Sequence, residues 1–129
     1  MSAPALPDAE LVGLTLLEDL APTVTALPPA WEPPIIVVQR VGGDMDLDTY
    51  SDLPLLELTF YGATRPAAWD LAIRGQRAVL DAEATAVAGV LVETAEIVTG
   101  GQQVPDLDPD DRRVIVTARL SLDLRPYFA

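Results

Sequence analysis

Three aspartates at alternate positions, Asp44, Asp46 and Asp48, match the opening of a calcium-binding loop. Carboxylates at this spacing can surround Ca²⁺ when glycine occupies the sixth position and glutamate the twelfth. Those positions hold Thr49 and Leu55. The pattern therefore predicts a solvated acidic loop, and we assign neither a metal site nor a cofactor to it.

A second acidic loop carries Asp106, Asp108, Asp110 and Asp111. Counted from Asp106, the places for glycine and glutamate are taken by Asp111 and Thr117, so this loop also fails the calcium pattern. We expect a polar connection between two strands here.

Arginine recurs every six residues near the end of the chain, at Arg113, Arg119 and Arg125. On a strand this interval places all three side chains on one face, the one turned away from the core. Two interpretations remain open: salt bridges to Glu57 or Glu93 on neighbouring strands, or contact with an acidic edge of a second copy.

Four further residues are expected to contribute to an interface. Leu55 and Tyr61 lie on the outward side of a predicted strand, and Tyr127 and Phe128 follow the last strand. Aromatic side chains are enriched in protein interfaces.

The residue types that perform most catalysis are absent. The 129 residues include no cysteine and no histidine, and all eight basic residues are arginine. Thiol nucleophiles, histidine bases and Schiff-base lysines are therefore excluded, and we expect no enzyme and no catalytic residue.

Charge and hydropathy exclude two classes of partner. Twenty acidic residues against eight arginines give a net charge of −12, which opposes binding to nucleic-acid phosphates. The longest apolar run, Ala86 to Val92, is far shorter than the roughly 20 residues of a membrane helix. Without a signal-peptide pattern, the expected location is cytoplasmic.

We expect a single domain over residues 1–129. Helical spacing of leucines predicts an N-terminal helix over 7–20, and five prolines predict an extended strap over 21–34. Trp31 in the strap is expected to dock on the remainder, which comprises the sheet and main helix over 35–125.

Four strands are predicted. A run of β-branched residues predicts a strand over 35–41, alternation of apolar and polar residues predicts a second over 55–61, and a third covers 89–99. Between the first two strands, residues 44–53 are predicted to form an acidic loop. The last strand has strict alternation, which places one set of side chains in the core: Val114, Val116, Ala118, Leu120, Leu122 and Leu124.

The main helix is predicted to begin after Thr64, a good N-cap, with Pro66 in its first turn. Gly75 in its interior suggests close packing at that turn. One helical face is expected to carry Trp69, Ala72, Ile73, Gln76, Val79 and Leu80.

The fold class predicted by this order is α+β: helix-strand-strand-helix-strand-strand, in a four-stranded, mainly antiparallel sheet with helices packed on one face.

Several segments resemble the tail terminator proteins of long-tailed (siphovirus-like) phages of actinobacteria. The similar parts are the run Pro34 to Gly43 after a proline-rich lead, the helix 67–80, Val104-Pro105-Asp106, and the run Arg112 to Leu120. The abundance of Ala, Val, Asp and Arg without Lys also fits a GC-rich genome.

The resemblance implies a subunit of a six-copy ring that caps the tail tube, stops its polymerisation and presents a docking surface to the head-completion complex. The expected partners are therefore further copies, the tube protein and a connector protein, and DNA passes through the ring without specific binding. The protein would assemble in the host cytoplasm and lie at the head-proximal end of the virion tail, with both acidic loops facing the lumen or a partner. Another neck assembly protein, or a regulatory domain binding a small molecule, remain alternatives.

Overall fold

A computed structural model describes residues 6–103 and 112–128, which form three helices and six strands. In chain order these are α1 (Ala9–Leu17), β1 (Thr23–Val24), β2 (Ile35–Asp46), β3 (Ser51–Tyr61), α2 (Arg65–Asp81), β4 (Thr85–Val87), β5 (Val90–Gln102), β6 (Arg113–Asp123) and α3 (Arg125–Phe128). The strands form one mixed sheet in the order β1-β2-β3-β6-β5-β4, which curves into a half-barrel. Only the β1–β2 pair is parallel.

The predicted four-stranded sheet is wrong, because two short strands extend it at its edges. β1 arises within the proline-rich strap, where the Ile36 N–H donates to the Pro22 carbonyl at 2.9 Å. β4 pairs with β5 through a tight turn in which Ala88 and Gly89 both have positive φ. Strands of two and three residues are too short to show alternation, so no sequence pattern could reveal them.

The first hairpin is longer than expected. An acidic loop was predicted over 44–53, but β2 continues to Asp46 and β3 begins at Ser51, so that four residues make the turn. The pairing register shifts between Arg40 and Gly42, which marks a β-bulge where the hairpin leaves the core.

The core lies between one face of the sheet and the helices α1 and α2. Alternate residues of β3 and β6 supply this face, as the sequence pattern predicts: Leu56, Leu58, Phe60, Val114, Val116, Ala118, Leu120 and Leu122 are all buried. α1 packs over β2 and β3, and α2 packs over β5, β6 and β3. The sheet thus has one covered face and one open face.

Helix α2 begins as predicted. The Thr64 Oγ1 accepts a hydrogen bond from the Ala67 N–H at 3.2 Å, which satisfies one of the free donors of the first turn. A Cβ atom at Gly75 would overlap the ring of Phe60, so glycine is required for the close approach of helix and sheet.

The predicted apolar face of α2 is wrong in part. The side chains that face the sheet are Ala68, Leu71, Ala72, Gly75 and Val79. Ile73 and Leu80 instead point outward and are 63% and 49% exposed. Small residues form the packing face because they let the helix backbone approach the sheet, and the larger aliphatic residues therefore lie on the outside.

Candidate functional site

The open face of the sheet contains a groove of about 330 Å³ beneath the proline-rich strap. Its walls come from the strap and from three adjacent strands: Ala26, Leu27, Val37, Gln39, Glu57, Thr59, Tyr61, Arg113 and Ile115. The lining mixes aliphatic, hydroxyl and charged side chains.

The strap is attached to the groove by two contacts. The rings of Trp31 and Tyr61 lie 4.9 Å apart between centroids, which places Trp31 on the domain as predicted. The Gln39 Nε2 donates to the Thr25 carbonyl at 3.4 Å. Tyr61, an expected interface residue, is therefore half-buried within its own chain. Leu55 is also half-buried and lies on β3 two residues before Glu57, which lines the groove.

The three spaced arginines do not form one row. Arg113 and Arg119 lie on the open face of β6, whereas β6 ends at Asp123 and Arg125 belongs to α3. The prediction that Arg125 projects from the strand is therefore wrong, because the chain turns into a helix there.

The ion pairs of these arginines also differ from the expected ones. Arg119 approaches Glu96 at 3.9 Å, and Arg125 binds Asp123 through its Nε at 2.9 Å. Hydrogen bonds from the side chain and the backbone N–H of Arg125 lower the pKa of the Asp123 carboxyl. Glu93 contributes a weaker, favourable charge to Arg125.

The end of β2 and the turn that follows it, residues 41–50, form what we call the acidic arm. It contains Asp44, Asp46 and Asp48 and no basic residue. The Asp46 Oδ1 accepts the Asp48 N–H at 2.9 Å, which closes the turn locally. Two large apolar side chains, Met45 and Leu47, are 44% and 60% exposed beside these carboxylates.

An ion pair fixes the base of the acidic arm. Both guanidinium Nη atoms of Arg40 donate to the Asp52 carboxylate at 2.8 Å, and its Nε donates to the Gly42 carbonyl at 3.1 Å. The hydrogen bonds to Asp52 and its negative charge raise the pKa of Arg40. A bidentate pair of this kind restrains direction as well as distance, so it holds the two strands of the hairpin together below the turn.

Hydroxyl groups form further contacts at the base of the acidic arm, on the open face of the sheet. The hydroxyls of Ser51 and Ser121 both donate to Glu93 Oε1, at 2.7 and 2.9 Å. Glu93 lies where the β5–β6 register shifts, and its side chain reaches across β6 to Ser51 on β3. The sequence pattern suggested a salt bridge from one of the spaced arginines to Glu93 and did not predict these serine contacts.

The C-terminal segment is joined to the acidic arm. The Leu124 N–H donates to the Tyr50 carbonyl at 2.7 Å, and the rings of Tyr50 and Phe128 are 5.5 Å apart. Phe128 is still 49% exposed and Tyr127 is half-buried. The structure thus brings two of the predicted interface residues next to one of the two predicted acidic loops.

The second predicted acidic loop, with Asp106, Asp108, Asp110 and Asp111, lies outside the described residues. Within residues 6–103 and 112–128, no three acidic side chains converge in a way that would hold a metal ion. Among the same residues, no helix has the length and apolar character needed to cross a membrane.

Two features escaped sequence reasoning. The Arg40–Asp52 pair joins residues on either side of the turn, and nothing in the spacing marks it. The outward position of Ile73 and Leu80 was detectable in principle, because Ala68, Ala72 and Gly75 form a stripe of small residues at helical spacing.

Comparison with known proteins identifies a family. The model of a family described as phage tail termination protein matches residues 5–126, nearly the whole chain. No match is found among curated proteins. The chain therefore belongs to the phage tail termination protein family, a family of structural proteins of the bacteriophage tail.

Proposed function

We propose that this member of the tail termination family acts as a ring of six copies on the last ring of the tail tube. In that position it stops the addition of tube subunits and provides the surface on which the head-completion complex docks. The family match over residues 5–126 carries this proposal.

The physical mechanism is a mismatch between two faces. One face of the ring complements the tube protein, whereas the opposite face lacks the groups that recruit another tube ring. A subunit that uses different surfaces for its two neighbours forms a closed ring when the rotation between copies closes, and a filament when it does not. The half-barrel supports this mode because it offers several distinct exposed surfaces: the open-face groove, the acidic arm and the outside of α2.

The net charge supports a passive channel for DNA. Each copy carries a charge of −12, and acidic groups on a lumen would repel phosphates and let the genome pass without binding. A ring structure with a basic lumen would contradict this part of the proposal.

Complementation tests the function directly. A phage whose copy of this gene is disrupted should make tubes of irregular, excessive length, and expression of the intact protein should restore uniform tails, as measured by negative-stain electron microscopy. Normal tails in the disrupted phage would refute the role. Native mass spectrometry of the purified protein and of its mixture with tube protein tests the number of copies.

A further inference from the structure

The outer face of α2 carries an apolar stripe that its own chain leaves uncovered. Ile73, Arg77 and Leu80 follow at helical spacing opposite the packed face, and all three are exposed. Ile73 is 63% and Leu80 is 49% exposed. Large aliphatic side chains grouped on the outside of a helix indicate a contact surface more than a solvated one.

The stripe also carries a cation, Arg77. Arg74, one residue from Ile73, forms an i,i+4 pair with Asp70 at 3.1 Å. Arg77 makes no ion pair with any residue of the described ranges. A guanidinium between two aliphatic side chains matches a partner that brings carboxylates together with apolar groups.

The acidic arm has that composition. At its turn the exposed side chain of Leu47 lies next to the carboxylate of Asp48, and residues 41–50 contain no basic residue to neutralise the aspartates. The Arg40–Asp52 pair fixes its base, so the arm can dock with little loss of conformational freedom. Both surfaces are exposed in the single chain, so the arm does not cover its own α2.

We propose that the acidic arm of one copy docks on the outer face of α2 of the next copy. The Leu47 side chain covers Ile73 and Leu80, and the Asp48 carboxylate pairs with Arg77. The two surfaces are different parts of the same chain, so the contact is head-to-tail and can repeat around a ring. This inference rests on the proposed function, because it specifies how adjacent copies of the ring meet.

Charge reversal tests the contact. Arg77→Glu should weaken self-association, measured by sedimentation velocity over a range of concentrations, by about tenfold or more. Asp48→Arg should do the same, since Asp48 lies at the turn of the arm and its side chain makes no hydrogen bond or ion pair with the described residues. The double variant should recover association, because the two reversed charges attract again.

The matched control is Arg74→Glu, which makes the same change of charge on the same helix but at a residue already paired with Asp70. Urea unfolding of each variant verifies that the fold is retained. Equal weakening by Arg77→Glu and Arg74→Glu would mean that bulk charge is responsible, and would overturn the proposal. Failure of the double variant to recover would also overturn it.

The same variants in the phage complementation assay separate the two proposals. We expect Arg77→Glu to give overlong tails, and the double variant and Arg74→Glu to give uniform ones. Uniform tails with Arg77→Glu refute the arm contact and leave the terminator role intact. If the unmodified protein fails to restore tail length, the terminator role itself is refuted.

A cysteine pair gives an independent readout, because the chain has no cysteine of its own. Oxidation of a Leu47→Cys, Leu80→Cys double variant should give a ladder of covalent oligomers. Pairing Leu47→Cys with Val98→Cys, which is 49% exposed on β5, should give none. A ladder in both variants, or in neither, would contradict the proposed contact.

Discussion

Replacement of Asp52 by asparagine should release the base of the acidic arm. The substitution keeps the size of the side chain and one carbonyl acceptor, but it removes the charge that holds both Nη atoms of Arg40 at 2.8 Å. The Asp52 side chain is 6% exposed and that of Arg40 is 35% exposed. The loss therefore combines a broken charge-assisted hydrogen bond with a guanidinium left without its counter-ion.

The expected loss of stability is about 2 kcal/mol. Breaking a fully buried ion pair costs about 3–5 kcal/mol, but solvent reaches a third of the Arg40 side chain and offsets part of that cost. An exposed pair gives the contrasting value: Asp70→Asn removes the partner of Arg74, where both side chains are more than half exposed. Asp70→Asn should lower the free energy of unfolding by no more than about 0.5 kcal/mol.

Urea unfolding followed by the fluorescence of Trp31 and Trp69 measures both variants under the same conditions. If Asp52→Asn destabilised the protein no more than Asp70→Asn does, the Arg40–Asp52 pair would not fix the arm and the reasoning would be refuted. A double-mutant cycle with Arg40→Gln should give a coupling energy of about 1 kcal/mol or more.

Three further predictions concern the fold. The hydrogen bonds that lower the pKa of Asp123 stabilise the folded state at pH values above the ordinary carboxyl pKa of about 3.9. This stabilisation is lost as pH falls through the lower pKa that Asp123 has in the folded state. The urea midpoint of the wild type should therefore fall more steeply below about pH 4 than that of Asp123→Asn. Gly75→Val should cost more than about 2 kcal/mol by crowding the buried ring of Phe60. Gly100→Val, whose Cβ would meet only the Gln76 Oε1 at an ordinary contact distance of 3.8 Å, should cost much less in thermal unfolding. Thr64→Ala should cost about 1 kcal/mol through loss of the N-cap, and an unchanged midpoint would contradict that assignment.

Sequence reasoning succeeded where one physical rule determines local structure. The alternation in β6 predicted its buried face, and Thr64 before Pro66 predicted the start of α2, because burial and capping act over a few adjacent residues. It failed where tertiary contacts decide. β1 exists only because Pro22 and Ile36 are brought together, and the side of α2 that packs depends on how closely Gly75 approaches the sheet.

The candidate surfaces also divide into features that local sequence predicted and features that depend on tertiary contacts. The sequence predicted an acidic loop at Asp44, Asp46 and Asp48, and the structure shows it as the end of a paired hairpin. The sequence could not show that Arg40 reaches Asp52 or that Phe128 lies beside Tyr50, because these contacts join residues distant in the chain.

The strand order has a kinetic consequence. β2–β3 and β5–β6 are each neighbours in sequence, so both hairpins can form early from local contacts. Within the sheet the two halves pair where β3 meets β6, and that seam closes a loop that includes all of α2. We therefore expect the β3–β6 seam to limit the folding rate. Until β6 has emerged from the ribosome, the edge of β3 has no pairing partner on that side, which makes the nascent chain most prone to aggregate in that interval.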